Sequence, residues 1–185
     1  MIILKLNKKN SKEIVQESAR AIKKGKILIC PTDTVYGLVC DFFNKKAVAR
    51  MYKIKKRPRS KLFPVFVKNI KMAKKIVKIN PEQEGFLKKA WPGAVTVVIE
   101  KKKSAVRLPK YKFIIDLINN VGQPLAETSA NISGKPGSTR IKEVMKQFKN
   151  SKYKPDLIID AGNLKKSRPS VVVDLTIFPP KILRP

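Results

Sequence analysis

The chain has 185 residues and a mass of 20.9 kDa, with 43% apolar residues, enough to build one core and too many for a disordered tail. Lys and Arg number 42 against 13 Asp and Glu, a formal charge of +29 that asks for a polyanionic partner or an unusual cytoplasm. There is no His, which excludes imidazole bases, Ser-His and Cys-His nucleophile pairs and His-ligated metal sites, and with them most hydrolase and protease readings.

In chain order, Ile2 to Leu6 reads as a strand. Asn10 with Glu13 three residues later resembles a capping box opening a helix that buries Val15, Ala19 and Ile22 and stops at Gly25. Lys26 to Cys30 is a short buried strand. Asn44 caps a second helix with Ala47, Val48 and Met51 inward, ended by Pro58, and Pro64 to Val67 is a third strand. Asn80-Pro81 with Gln83 starts a third helix with Phe86, Leu87 and Ala90 inward, and Val95 to Ile99 is strand again. The stretch from Ala105 to Asn120 has no single period. Ser138 to Lys149 is amphipathic helix carrying Ile141, Val144, Met145 and Phe148, and Leu157 to Ile159, Val171 to Val173 and Lys181 to Leu183 are closing strands. Helices alternating with strands predict an α/β layer fold, and no linker or repeat divides residues 1–185, so one domain is expected. Cys30 and Cys40 make neither a disulfide framework nor a zinc site, the apolar runs are strand-length, and the first residues lack a signal-peptide pattern. A soluble cytoplasmic protein is expected.

The charge is uneven. Between Asp41 and Glu82 no acidic residue interrupts fourteen basic ones, and the run Lys55-Lys56-Arg57-Pro58-Arg59-Ser60-Lys61 falls where Pro58 ends a helix, so its cations are expected to project from a turn toward one ligand. The segment Cys30-Pro31-Thr32-Asp33-Thr34-Val35-Tyr36-Gly37-Leu38 is a polar loop after a buried strand. Its hydroxyls, carboxylate and phenol either hold a small polar substrate or satisfy their own backbone. Ala126 to Thr139 reads as a small-residue loop leading into a helix, whose start at Ser138 and Thr139 offers unpaired N–H groups to phosphate, or else is simply a capped Gly/Pro loop. Neither a G-x-x-x-x-G-K-[ST] phosphate loop nor a G-x-G-x-x-G fingerprint is present.

Seven segments taken in order point further: Pro31 to Leu38, Lys55-x-Arg57-Pro58, Trp91-Pro92-Gly93, Val106 to Pro109, Thr128-Ser129-Ala130-Asn131-x-Ser133-Gly134, Ser170 to Asp174 and Lys181 to Pro185. Together they resemble the YrdC/TsaC family of threonylcarbamoyl-AMP synthases across nearly the whole chain. The family's Lys-x-Arg and Ser-x-Asn signatures fall on Lys55, Arg57, Ser129 and Asn131. The resemblance implies a twisted open mixed sheet flanked by helices, with a basic concave face. It implies condensation of L-threonine, bicarbonate and ATP to threonylcarbamoyl-adenylate and pyrophosphate, for N6-threonylcarbamoyladenosine modification of tRNA. Lys55, Arg57, Ser129 and Asn131 are then the catalytic set. Arg57, Lys61, Asn131, Thr139 and Arg184 take ATP, and Thr34, Arg107, Ser129 and Ser170 take threonine, with Arg107 forking onto a carboxylate. Mg²⁺ bound with ATP is the implied cofactor, with no ligand set from the protein. A downstream threonylcarbamoyl-transferase complex is the implied partner. Departures from the family pattern fall at Leu62, Phe63, Phe66 and Val171, and the chain is expected to lack the further C-terminal domain of longer members. The alternative, from charge alone, is a module that binds double-stranded RNA or rRNA without adenylyl transfer, and tRNA or double-stranded RNA is a further expected partner.

Overall fold

The computed structural model describes residues 1–101 and 103–185. Among them ten strands form one mixed sheet. In chain order the strands are β1 (Ile2–Lys5), β2 (Leu28–Cys30), β3 (Gly37–Asp41), β4 (Val65–Phe66), β5 (Val95–Val98), β6 (Val106–Arg107), β7 (Leu125–Ser129), β8 (Leu157–Asp160), β9 (Val171–Asp174) and β10 (Lys181–Arg184). The helices are α1 (Ser11–Lys23), α2 (Lys45–Lys55), α3 (Ile70–Ala73), α4 (Pro81–Ala90), α5 (Lys112–Val121) and α6 (Ile141–Phe148). Across the sheet the order is β1-β8-β2-β3-β7-β4-β6-β5-β9-β10. The pairs β1/β8, β2/β8, β4/β6 and β5/β9 run parallel, and the other five run antiparallel.

Period-two alternation divides the apolar side chains between two cores. Leu28, Cys30, Val39, Leu125 and Ile159 join a large cluster with Ile14, Val15 and Ile22 of α1 and Phe113, Ile114, Leu117 and Ile118 of α5. Ile29, Leu38, Cys40, Ala126 and Ile158 join a second cluster with Met51 and Ile54 of α2 and Ile141, Val144 and Phe148 of α6. Two buried layers account for the run of fully buried strands in the middle of the sheet. Both cysteines are free and buried within them.

Several local expectations need correcting. Asn10 precedes α1 without capping it, because its side chain reaches back to the Lys5 carbonyl (2.8 Å) and accepts from the Asn7 N–H (2.8 Å). Asn80 and Gln83 do form a reciprocal capping box, and Asn44 caps α2 through the Ala47 N–H. The helix bearing Lys55 ends before Pro58 acts on it: Lys56 turns left-handed at φ +52, which redirects the chain at Arg57. Lys55 therefore belongs to the helix and is buried, not projected from the turn. The motif read as one polar loop includes β3 from Gly37 onward, and the loop read from Ala126 includes most of β7. Helix α6 begins at Ile141, so Ser138 and Thr139 precede it and are not its first turn.

Leu117 is wholly buried between α1, α5 and the sheet. Leu117→Ala is expected to cost about 2–5 kcal/mol, whereas Asn80→Ala, which removes one cap, is expected to cost about 1 kcal/mol; urea unfolding followed by circular dichroism measures both.

Candidate functional site

Six strands of the sheet, β3, β7, β6, β5, β9 and β10, contribute to a cavity of about 490 Å³. Gly37 comes from β3, Glu127, Thr128 and Ser129 from β7, Arg107 from β6, Thr96 from β5, Val172 from β9 and Arg184 from β10. The loop after β2 adds Thr32 and Thr34, and the end of α2 adds Lys55, Arg57 and Lys61. Of the ten residues singled out from sequence, Lys55, Arg57, Lys61, Thr34, Arg107, Ser129, Asn131, Ser170 and Arg184 line this one cavity. Thr139 does not; it sits half-buried on the approach to α6, where its carbonyl accepts from the Leu164 N–H (2.9 Å).

Lys55 is the centre of the arrangement. Its side chain is 3% exposed. The ammonium donates to the Ser129 carbonyl (2.5 Å), Ser129 Oγ (3.2 Å) and Asn131 Oδ1 (2.6 Å), which engages all three of its protons. Asn131 is equally committed. Its Oδ1 also accepts from Ser129 Oγ (2.6 Å), while its Nδ2 donates to the carbonyls of Ile132 and Lys135. As the structure has it, Asn131 positions the 132–135 loop and the Lys55 ammonium. Burial, helped by the Arg57 charge and opposed by Glu127, pushes the Lys55 pKa down to about 7.

Arg107 is 2% exposed and crosses beneath the loop after β2. It donates through Nε to the Gly93 carbonyl (3.0 Å) and through Nη2 to Asp33 Oδ1 (2.8 Å), and its Nη1 faces Thr34 Oγ1 at 3.4 Å. Asp33 also accepts from the Lys110 N–H (2.9 Å). This ion pair consumes one arm of the guanidinium fork and leaves Nη1 as the arm nearest Thr34. The Thr32 hydroxyl donates to the Val35 carbonyl (2.7 Å) and accepts from the Thr34 N–H (3.0 Å), so the loop is also held by its own backbone. The Tyr36 phenol points away from the cavity and ties down the chain after β8, donating to the Gly162 carbonyl (2.7 Å) and accepting from the Ala161 N–H (3.1 Å). Gly37 permits the close approach: a Cβ there would meet Thr32 Cγ2 at 3.3 Å.

At the open side, Arg57 folds over Phe63 and donates to the carbonyls of Lys61 (2.8 Å) and Leu62 (3.1 Å). Arg184 donates to the Ser170 carbonyl through Nε (3.1 Å) and Nη2 (2.7 Å), and Ser170 Oγ meets Thr96 Oγ1 at 2.9 Å. Burial and the nearby Arg184 guanidinium hold Arg57 below its ordinary value, against the opposing effect of Tyr52 and Glu127. Among the departures noted in the sequence, Leu62 lines the cavity, while Phe66 is buried beneath the Arg107 guanidinium, 5.7 Å from ring centre to Cζ. The reading from motifs missed Glu127, the one carboxylate of the lining. An acidic residue inside an apolar strand run, Leu125 to Thr128, was the available signal. Among the described residues no three His, Cys, Asp or Glu side chains come together as a metal site.

A family model described as telomere recombination, for the Sua5, YciO and YrdC proteins, matches residues 20–185. The chain belongs to the Sua5/YciO/YrdC family. A threonylcarbamoyl-AMP synthase of Pyrococcus abyssi is 32% identical over 197 residues, which is all of this chain and 57% of that protein. A Methanocaldococcus jannaschii relative is 32% identical over 94% of this chain and 86% of its own length. The structure of P. abyssi Sua5 complexed with L-threonine superposes with a TM-score of 0.90 at 31% identity, over the whole chain and 57% of that one. The fold is shared with Escherichia coli YciO, at a TM-score of 0.82 and 21% identity over 99% of this chain and 92% of that one. The chain thus spans a little over half the length of the P. abyssi relative.

Lys55 binds fewer protons folded than unfolded between pH 7 and its ordinary 10.5, so its burial cost is greatest below pH 7 and is relieved as pH rises. Lys55→Met is expected to flatten the rise in unfolding free energy between pH 6.5 and 9, measured by urea titration at each pH.

Proposed function

We propose that the cavity binds ATP and L-threonine and, with bicarbonate, forms threonylcarbamoyl-adenylate and pyrophosphate. The observation that carries this reading is the convergence of five cations, Lys55, Arg57, Lys61, Arg107 and Arg184, with hydroxyls of Thr34, Ser129 and Ser170 in one cavity of about 490 Å³. The names of the relatives and the threonine complex of the P. abyssi protein support it.

Adenylyl transfer needs charge neutralised, the nucleophile held in line and water displaced, rather than covalent help from the protein. Among the described residues Arg57 and Arg184 each keep Nη1 without a protein partner, and so does the Lys61 ammonium. These are the groups we assign to the phosphates. Thr34 and Arg107 Nη1 lie together and are assigned to threonine, with Ser129 and Ser170. The carbamate oxygen attacks the α-phosphorus, the bond to the bridging oxygen breaks, and pyrophosphate leaves with its electron pair. One lining carboxylate is too few for an all-protein cage, which fits a Mg²⁺ ion carried on phosphate oxygens and water. Bound with ATP, the ion would neutralise triphosphate charge. A mixed anhydride hydrolyses readily, so we place a threonylcarbamoyl-transferase complex acting on tRNA directly downstream.

Purified protein is expected to release pyrophosphate only when ATP, Mg²⁺, bicarbonate and threonine are all supplied, and Arg57→Ala to lose at least about a hundredfold in rate. Release that ignores threonine would sink the reading.

A second reading, RNA binding, draws on a shallow hollow of about 460 Å³ lined by Met1, Lys142, Met145, Lys146, Lys149 and Lys154, with no carboxylate. Retention of duplex RNA on filters that falls steeply between low and moderate salt, and is weakened by Lys146→Gln with Lys149→Gln, is the expected outcome if RNA docks there.

A further inference from the structure

Glu127 stands in the middle of β7, its backbone fixed by pairing with Val39 and by an N–H donated to the Pro64 carbonyl (2.8 Å). Its side chain is 9% exposed and lines the cavity. Among the described residues its carboxylate accepts no hydrogen bond and has no cationic nitrogen within ion-pair distance. The charged groups that face it are Arg107 from β6, Lys55 from α2, Arg184 from β10 and Asp33 from the loop after β2. None of the three cations donates to it. Lys55 gives its protons to Ser129 and Asn131, Arg107 pairs with Asp33 and Gly93, and Arg184 is folded onto Ser170.

A buried carboxylate left without a donor is costly and is kept where a ligand completes it. Three cations already surround Glu127, so it is not needed as a phosphate contact and would repel one. What it lacks is a charged donor small enough to enter from the cavity. A metal ion asks for several oxygens, and Glu127 is the only carboxylate in the lining. An ammonium asks for one carboxylate and a few hydroxyls, and Thr34 and Ser129 line the same space.

We propose that Glu127 seats the α-ammonium of the amino-acid substrate and accepts the proton that this nitrogen gives up in forming the carbamate. The assignment rests on the reaction proposed above. Ammonium and bicarbonate combine to carbamate, water and one proton: the C–N bond forms, a C–O bond of bicarbonate breaks, water departs and the proton goes to Glu127. The chain has no His, and the Lys55 protons are fully engaged, which leaves Glu127 as the free acceptor. Burial raises its pKa against the lowering effect of Arg107, Lys55 and Arg184, which makes it a better proton acceptor than an exposed glutamate.

The test is calorimetric titration of the full chain with L-threonine and with 2,3-dihydroxybutanoate, which replaces the amine by a hydroxyl. The wild type is expected to prefer threonine by at least about tenfold, the effect of one charge-assisted contact. Glu127→Gln is expected to lose that preference and Glu127→Asp to restore part of it. In pyrophosphate release, the acid limb of kcat/KM for threonine is expected to disappear in Glu127→Gln. Equal affinity of the wild type for the two ligands overturns the assignment without any variant and leaves the proposed reaction standing. So does a Glu127→Gln protein that keeps its preference but needs more Mg²⁺, which gives the carboxylate to the metal. A wild type that neither binds threonine nor releases pyrophosphate overturns the reaction and this assignment together.

Discussion

The Lys55 ammonium, held by Ser129 and Asn131, is the contact on which the cavity depends. It joins the last turn of α2 to the end of β7, two elements 74 residues apart in sequence. An ammonium taken out of water is tolerated only when its hydrogen bonds are replaced in full, and here a carbonyl, a hydroxyl and an amide oxygen replace them. None of these is a full negative charge. The charge is thus satisfied as a donor, and the carboxylate that faces it, Glu127, makes no ion pair with it.

Arg107 illustrates the opposite solution. Its guanidinium is compensated by Asp33, and that ion pair draws the loop after β2 down onto β6. Breaking a buried pair strands a charge, so the pair is a strong constraint on where Thr34 sits even if its net contribution to stability is small. The two buried cations divide the labour: one preserves positive potential, the other fixes the loop that faces it. Arg57 and Arg184, both at the open side of the hollow, are positioned mainly by main-chain carbonyls, which leave their charge uncompensated. A preorganised cationic enclosure of this kind meets its reorganisation cost during folding.

Much of the fold was legible in local chemistry. The alternation of strand and helix, the capping of α2 by Asn44 and the reciprocal cap of Asn80 and Gln83 all depend on neighbours within four residues, and these stand in the structure. Where the reading went astray, a distant partner had intervened. Asn10 gave up its cap to the Lys5 carbonyl, and Tyr36 left the polar motif for the chain beyond β8. β3 was hidden because a fully buried central strand lacks the alternation that marks a half-exposed one. Thr139 lies outside the cavity lining, and α6 begins two residues beyond the Ser-Thr pair.

Composition and pattern by themselves determined that this is a strongly cationic α/β chain without imidazole chemistry; the grouping of Lys55, Arg57, Ser129 and Asn131 came from the family resemblance. Only the tertiary structure decided which of those groups keep donors free in the cavity and which hold one another. It alone brought Glu127 into the cavity, where among the described residues it has no partner. Hydrogen-bond donors are spent on whichever acceptor folding brings within about 3 Å, and a linear sequence does not contain those distances.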